Sequence, residues 1–379
     1  MKALFPVAAI ISMTLMDVFA KTDKAVFDSV ERIVAIGDVH GDFIKFRSAL
    51  EMAELIDAKQ NWKGGETHLV QLGDLPDRGP ETRRIIELLR KLEKQAPRDK
   101  GRVHILIGNH DAMNMYGDLR YALPEEFEEF ATRNSQRLLD SLYKSEVSWI
   151  KRNTPKTDWP NFDEEFKEEW FKDKPLGYVE HRQNWAPDGS IGKWILSKNA
   201  VIKIGENLFV HAGIGPIFAD WKLKEINASV RKSLKNYDDL AEESILDHEH
   251  GPLWYRGMAM GNELSEGEHV ERVLKTFGVE RIIVGHTPTP GVVVPRFDGR
   301  VILADVGLSR YYGEHMACVE ITPEGVFAIH RGERLLLPGS NKNSILRYLE
   351  EIERLEPNNE AALNWINRLR ERLTQAEPK

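Results

Sequence analysis

Cysteine is nearly missing from this chain: among 379 residues only Cys318 carries a thiol. A lone cysteine excludes an intramolecular disulfide and any zinc or iron–sulfur site built on clustered thiolates. It also excludes the thiolate hydrolysis that pairs a cysteine with an arginine six places on, because Glu324 stands there. Positive charge is in deficit, with 52 Lys and Arg against 60 Asp and Glu and a net charge of −8. Sequence-independent nucleic-acid binding rests on clustered cations, so no nucleic-acid partner is expected. Neither a GxxxxGK loop followed by Ser or Thr nor a GxGxxG fingerprint occurs, which removes the two common glycine-rich phosphate cradles. Long apolar runs are absent beyond the first twenty residues. What is there in quantity is core-forming residue, 41% hydrophobic, enough for a folded chain. At roughly 150 residues per domain, the length suggests about two domains.

The one long apolar run is N-terminal. Met1-Lys2 precedes a hydrophobic stretch from Ala3 to Met16, and Val18 and Ala20 sit at −3 and −1 of a small-residue cleavage site before polar Lys21. This order predicts a secretory signal peptide over residues 1–20 and an exported, periplasmic or secreted protein. The run is too short to span a bilayer comfortably, so no stable membrane insertion is expected after cleavage.

Short β-rich runs recur, each ending abruptly in glycine or a polar residue. They are Arg32–Ile36 before Gly37-Asp38, Thr67–Leu72 before Gly73-Asp74, and Val103–Ile107 before Gly108-Asn109. Later come Leu208–Val210 before His211, Arg281–Val284 before Gly285-His286, and Val301–Ala304 before Asp305. Such continuous apolar runs read as strands buried on both faces. Helical patterns over Phe43–Leu55 and Pro80–Lys94 alternate with the early strands, which predicts an α/β fold with its functional groups at the strand carboxyl ends.

Two segments break this rhythm. Residues 116–196 carry acidic-aromatic helical patterns (Pro124–Phe130, Asp163–Trp170) and five tryptophans, at 149, 159, 170, 185 and 194. They read as an insertion packed over one edge of the site, serving either scaffold packing or substrate selection. After Pro338-Gly339-Ser340, one apolar stripe (Ile345, Tyr348, Leu349, Ile352, Leu355) and a second (Leu363, Ile366, Leu369, Leu373) flank a Glu-Pro-Asn-Asn turn. This predicts a helical hairpin over 341–376, docked on the body or offered to a protein partner.

Chemistry concentrates in five strand-end motifs: Gly37-Asp38-Val39-His40-Gly41, Gly73-Asp74-Leu75-Pro76-Asp77-Arg78-Gly79, Gly108-Asn109-His110-Asp111, His211-Ala212-Gly213 and Gly285-His286. The first three lie about 36 residues apart, one strand–helix unit plus the next strand, which sets Asp38, His40, Asp74 and Asn109 along one sheet edge. Carboxylate, imidazole and amide oxygen together suit divalent or trivalent manganese, iron or zinc rather than calcium. Asp74 can bridge two such ions.

These motifs resemble those of the calcineurin-like metallophosphoesterases, GDxHG, GDxxDRG and GNH, and within them the phosphoprotein phosphatase superfamily. Gly251-Pro252-Leu253-Trp254-Tyr255-Arg256-Gly257, Val284-Gly285-His286-Thr287-Pro288-Thr289 and Asp305-Val306-Gly307-Leu308-Ser309 are similar to the Shewanella-like protein phosphatases. The resemblance covers Arg32–Gly332 and implies a metallophosphoesterase domain over 30–335, an αββα sandwich. It implies one metal on Asp38, His40 and Asp74, and a second on Asp74, Asn109, His211 and His286. His110 is then the general acid, oriented by Asp77, while Arg78, Arg256 and Asn109 face the substrate; Tyr312-Gly313 resembles a family tyrosine near the site. The implied activity is phosphomonoester hydrolysis by metal-bound hydroxide, with phosphorylated protein or peptide as substrate, on Tyr or on Ser/Thr. Two departures stand out: Asp111 where the family's protein phosphatases have Glu, and His211-Ala212-Gly213 where they often have His-Gly-Gly.

Two other functions fit the same residues. One is a nucleotide or dinucleoside polyphosphate hydrolase; another is a non-catalytic binding protein on the same fold. Asp247-His248-Glu249-His250 reads as a solvated loop rather than a metal cluster, and His68 and His104 as structural histidines inside strands. Asn227-Ala228-Ser229 fits a glycosylation sequon.

Overall fold

The apolar runs pair into two six-stranded sheets. The computed structural model describes residues 24–237 and 244–375, so the stretch read as a signal peptide lies outside the described residues. The strands are β1 (Val26–Phe27), β2 (Ile33–Ile36), β3 (His68–Gln71), β4 (Arg102–Ile105), β5 (Val201–Ile204) and β6 (Asn207–Val210), followed by β7 (Arg281–Val284), β8 (Val294–Arg296), β9 (Val301–Leu303), β10 (Ala317–Thr322), β11 (Gly325–His330) and β12 (Glu333–Leu336). One sheet has the order β12-β11-β10-β2-β3-β4 and the other β1-β5-β6-β7-β9-β8. Helices flank both sheets, giving the mixed α/β architecture that the strand–helix alternation predicts.

Register decides where the chemistry emerges. In the first sheet β2, β3 and β4 run parallel with Ile36 opposite Gln71 and Gln71 opposite Ile105, so all three strands end level. In the second, parallel β6, β7 and β9 pair Val210 with Val284 and Val284 with Leu303. Side chains immediately past these ends therefore converge on one edge of the sandwich. Val34, Ala35, Leu69 and Val70 are fully buried, as parallel strands covered on both faces must be.

The sequence places β2, β3, β4, β6, β7 and β9 to within a residue or two and overlooks β1, β5, β8, β10, β11 and β12. β10 carries Cys318 and Glu320 among its apolar residues and runs antiparallel to β2. The helix starting at Phe43 ends at Met52 rather than Leu55, with Glu54 in the left-handed region (φ 57°). The second helix spans Thr82–Gln95, and Asp42 caps the first by accepting from the Lys45 N–H at 3.0 Å. No helix among the described residues is long and apolar enough to cross a membrane.

Residues 116–196 fold as helices, chiefly Ser135–Asn153, Glu164–Asp173, Tyr178–Trp185 and Ser190–Ile195. Their tryptophans do not act alike: Trp185 is fully buried, whereas Trp149 lies exposed on the long helix. At the other end of the chain, helices Lys342–Leu355 and Glu360–Gln375 pack on the body through Tyr348, Leu349, Ile352 and Ile366. The Tyr348 hydroxyl donates to Val293 O (2.7 Å), and Glu356 accepts from His330 Nε2 (2.8 Å) and Arg331 Nε (2.6 Å). Asn227 of the sequon is buried and holds β5, accepting from the Ala200 and Val201 N–H groups and donating to Val201 O.

Candidate metal centre

Two strand edges meet through backbone and imidazole. Gly285 N–H donates to His211 O (2.7 Å), and His286 N–H donates to both Asp38 carboxylate oxygens (3.0 and 3.1 Å), tying β7 to the loop after β2. Glycine is required at this join: a Cβ on Gly285 would lie 2.5 Å from Asp38 Oδ1. His40, Asp74, Asp77, Arg78 and His286 all have positive φ, between 48° and 71°. Non-glycine residues seldom adopt this conformation, and its concentration here marks backbone strain held at a functional centre.

Two histidines are locked as lone-pair donors. His40 Nδ1 faces Pro76 O at 3.2 Å and His211 Nδ1 faces Leu72 O at 2.7 Å. A carbonyl can only accept, so each Nδ1 carries the proton and each Nε2 presents a lone pair. His40 Nε2 points between Asp38 Oδ2 and Asp74 Oδ2, each 3.9 Å away. His211 Nε2 lies 2.9 Å from Asn109 Oδ1, 3.2 Å from His286 Nδ1 and 3.4 Å from Asp74 Oδ1. Asn109 Oδ1 and Asp74 Oδ1 are both acceptors turned toward the same imidazole lone pair, an arrangement that a cation would satisfy.

The carboxylates make the same demand. Asp38, Asp74 and Asp305 are all buried, and no Lys or Arg among the described residues makes an ion pair with any of them. Burial, then Asp305 and Asp74, pushes the Asp38 carboxyl well above its ordinary range; burial pushes Asp305 up to about 6. Two groups of side chains are close enough to hold an ion each, His40–Asp74–His110 and Asp74–His211–His286, and Asp74 is common to both. The donor set therefore fits a pair of metal ions sharing Asp74, as the chemistry of mixed oxygen and imidazole donors leads one to expect.

His110 differs from the other histidines. Its Nδ1 meets a carboxylate, Asp77 Oδ2, instead of a carbonyl, and Asn114 Nδ2 donates to the other Asp77 oxygen at 3.0 Å. Burial favours the neutral ring, but Asp74 and Asp77 outweigh burial and raise the pKa. His40, lacking such a partner, is pushed down to about 3, chiefly by burial. Of His40, His110 and His286, His110 alone is raised.

The arginines stand at the rim. Arg256 Nη1 donates to His286 O (3.1 Å) and Thr287 Oγ1 (2.9 Å), beside the ring of His286. Arg78 is half-buried and lies between two aromatic rings, 4.2 Å from Tyr121 and 4.5 Å from Tyr311, with Nη1 donating to the Tyr311 hydroxyl at 2.6 Å. Tyr312 packs on His40 (5.2 Å) and Trp254 meets His286 edge-on (5.7 Å). Tyrosines and tryptophan therefore collar the centre.

Sequence reasoning missed several residues. Asp111, noted only as a departure, points away from the donors: its oxygens accept from the N–H groups of Gly108 (2.8 Å), Asp74 (2.9 Å) and Leu75 (3.3 Å), fastening two motifs together. Its position three residues after Gly108, at a helix start, is the signal that would have found it. Asp305 appeared in a motif without a role and lies against Asp38. Tyr121, Glu126 and Arg182 gave no signal, because their contacts are made only by the fold. His68 and His104 bond to each other (3.2 Å) away from these donors, and residues 247–250 join no metal-holding group among the described residues.

Comparison with known proteins agrees with this geometry. The calcineurin-like phosphoesterase family profile matches residues 31–290. Shewanella-like protein phosphatase 2 of Arabidopsis thaliana is 32% identical over 331 residues, 83% of this chain and 79% of that protein. Shewanella-like protein phosphatase 1 of Plasmodium berghei (strain Anka) is 25% identical over 295 residues, covering 75% of this chain and 69% of its own length. Among solved structures, the cold-active protein-tyrosine phosphatase of a psychrophilic Shewanella species superposes with a TM-score of 0.62 and 26% identity, covering 83% of each chain.

Proposed function

The chain belongs to the calcineurin-like phosphoesterases and is a metal-dependent phosphatase, and we propose that its substrate is phosphorylated protein, with phosphotyrosine preferred. The observation that carries the reading is the pair of donor groups sharing Asp74, with Asp38 Oδ2 3.9 Å from His40 Nε2 and with His110, a member of the first group, bonded through Nδ1 to Asp77. The aromatic collar supports the substrate class: Tyr311, exposed at the rim beside Arg78, offers a ring on which an aryl phosphate can stack. The relative of solved structure named as a protein-tyrosine phosphatase points the same way.

Asp38, His40 and Asp74 would hold one ion, and Asp74, Asn109, His211 and His286 the other. When bound, the ions supply Lewis acidity and an activated water near neutral pH. Arg78 and Arg256 offer planar forks matched to phosphate oxygens, and the stacked Tyr121 ring keeps Arg78 from collapsing onto the acidic centre. His110 releases the proton on Nε2 to the departing oxygen while Asp77 steadies Nδ1 and the positive ring. Cys318 takes no part: it is buried in β10 and its thiol is pushed up to about 12 by burial. Export through residues 1–20 would place this activity outside the cytoplasm.

Turnover of phosphotyrosine peptide, phosphoserine peptide and a dinucleoside polyphosphate by the metal-loaded protein tests the proposal. Preference for the phosphotyrosine peptide is expected. Inactivity on both peptides, with cleavage of the dinucleotide, would overturn it.

A further inference from the structure

Residues 116–196 approach the centre at three points, none of them through the tryptophans that distinguish the segment. Tyr121 O accepts from the Arg78 N–H at 3.1 Å, and its ring packs on His110 at 5.0 Å. Glu126 is fully buried; its Oε1 accepts from the Thr82 hydroxyl at 2.6 Å and lies 3.5 Å from the Asp77 N–H. Arg182 donates to the carbonyls of Asn114 and, at 3.0 Å, Met115, capping the C-terminal end of the helix that begins with Asn109 and His110. Asn114 closes the circuit, donating to both Asp77 Oδ1 and His110 O at 3.0 Å.

Asp77 and Arg78 are consecutive residues at φ 71° and 67°, a turn that a free chain avoids. Something must hold it. Its neighbours on the inner side are Asn114 and His110, which belong to the site itself. On the outer side stand Tyr121 and Glu126. Burying a glutamate with one oxygen bonded and the other, Oε2, without a partner is costly, and the residue earns that position only through what it holds.

We infer that Glu126 is a positioning residue for proton donation: from the inserted segment it pins the Asp77 turn, and so fixes the Asp77 carboxylate that orients His110. Burial and the nearby Asp77 push the Glu126 carboxyl well above its ordinary range, so a neutral acid, or the amide of glutamine, fills the place equally well. The segment is then an outer clamp on the proton donor. A small displacement of an aligned catalytic group is enough to lower turnover strongly.

The inference rests on the reading of His110 as general acid, and the experiment separates the two. Glu126→Ala, Glu126→Gln, Thr82→Val and His110→Asn are compared on p-nitrophenyl phosphate, whose phenol departs without help, and on phenyl phosphate, whose phenol needs a proton. Metal content is measured for each variant. Glu126→Ala is expected to lose on the order of tenfold more kcat on phenyl phosphate than on p-nitrophenyl phosphate, with metal content and KM retained. Glu126→Gln recovers most of that loss, and Thr82→Val, which keeps the side-chain shape, shows a smaller loss in the same direction. Equal losses on both substrates, or a loss traced to metal or to KM, would overturn the inference. If His110→Asn treats both substrates alike, the general-acid reading itself fails. If it discriminates and the Glu126 and Thr82 variants do not, the positioning role alone fails.

Discussion

The strand ends and the inserted helices serve one centre by different means. Past β2, β3, β6 and β7 the chain offers carboxylate oxygens and imidazole lone pairs, all buried and directed inward. Residues 116–196 contribute a carbonyl from Tyr121, a carboxyl from Glu126 and a guanidinium from Arg182, and these touch the backbone behind the donors. The first region decides what can be bound there. The second decides how firmly the proton-carrying side is held. Chemical identity is written in short motifs here, while precision is supplied by contacts between segments far apart in sequence.

The largest test of that division is Asp74→Asn. Because Asp74 belongs to both donor groups, elemental analysis should show loss of both ions and turnover should fall below that of every other variant. Retention of two ions would break the comparison at its first term. His110→Asn comes next: it should keep its metal content and lose about 100-fold or more in kcat. Metal loss in that variant would mean that His110 is a ligand in solution, and the boundary between binding and proton transfer would have to be redrawn.

Arg182→Gln probes the second region directly. It removes a half-buried charge from two helix-end carbonyls, and a stability loss of about 1 kcal/mol is expected in denaturant titration. A smaller effect comes from Glu356, whose carboxyl burial would raise but whose bonds to His330 and Arg331 hold down at about 2. A carboxyl depressed on folding stabilises above its unfolded value and loses that contribution as pH falls through the folded one. The docked tail should therefore hold at pH 5 and loosen progressively between about pH 4 and 2, followed by Trp365 fluorescence. The smallest change is His181→Phe. Both ring nitrogens of His181 are buried without partners among Phe127, Phe130 and Trp185, so the substitution should stabilise by about 1 kcal/mol, measured in the melting curve.

The sequence makes the donors legible because each lies directly after an apolar run, and parallel register then brings their levels together. Asp38, His40, Asp74, Asn109, His110, His211 and His286 are all found where that logic places them. Asp111 is different in kind, since its three backbone acceptor contacts become visible only once Gly108, Asp74 and Leu75 are known to be neighbours. Glu126 is further still from prediction. In sequence it is one acid in the run Glu125–Glu126, and only the packing of Phe127 and Phe130 turns one of the two inward. β10 escaped because Glu320, buried with its strand neighbours, interrupts its apolar run.

The level ending of the parallel strands has a consequence for folding fidelity. A slip of one residue between β2 and β3 would displace Asp38 by about 3.3 Å relative to Asp74 and turn every side chain of the slipped strand to the opposite face. The mis-paired chain could still bury Val34 and Leu69 in part, but it could not bring both aspartates to one ion. Cation uptake thus discriminates between correct and shifted pairings that hydrophobic burial alone separates poorly. In a refolding preparation, the stoichiometry of bound metal would count the molecules whose sheets are in register.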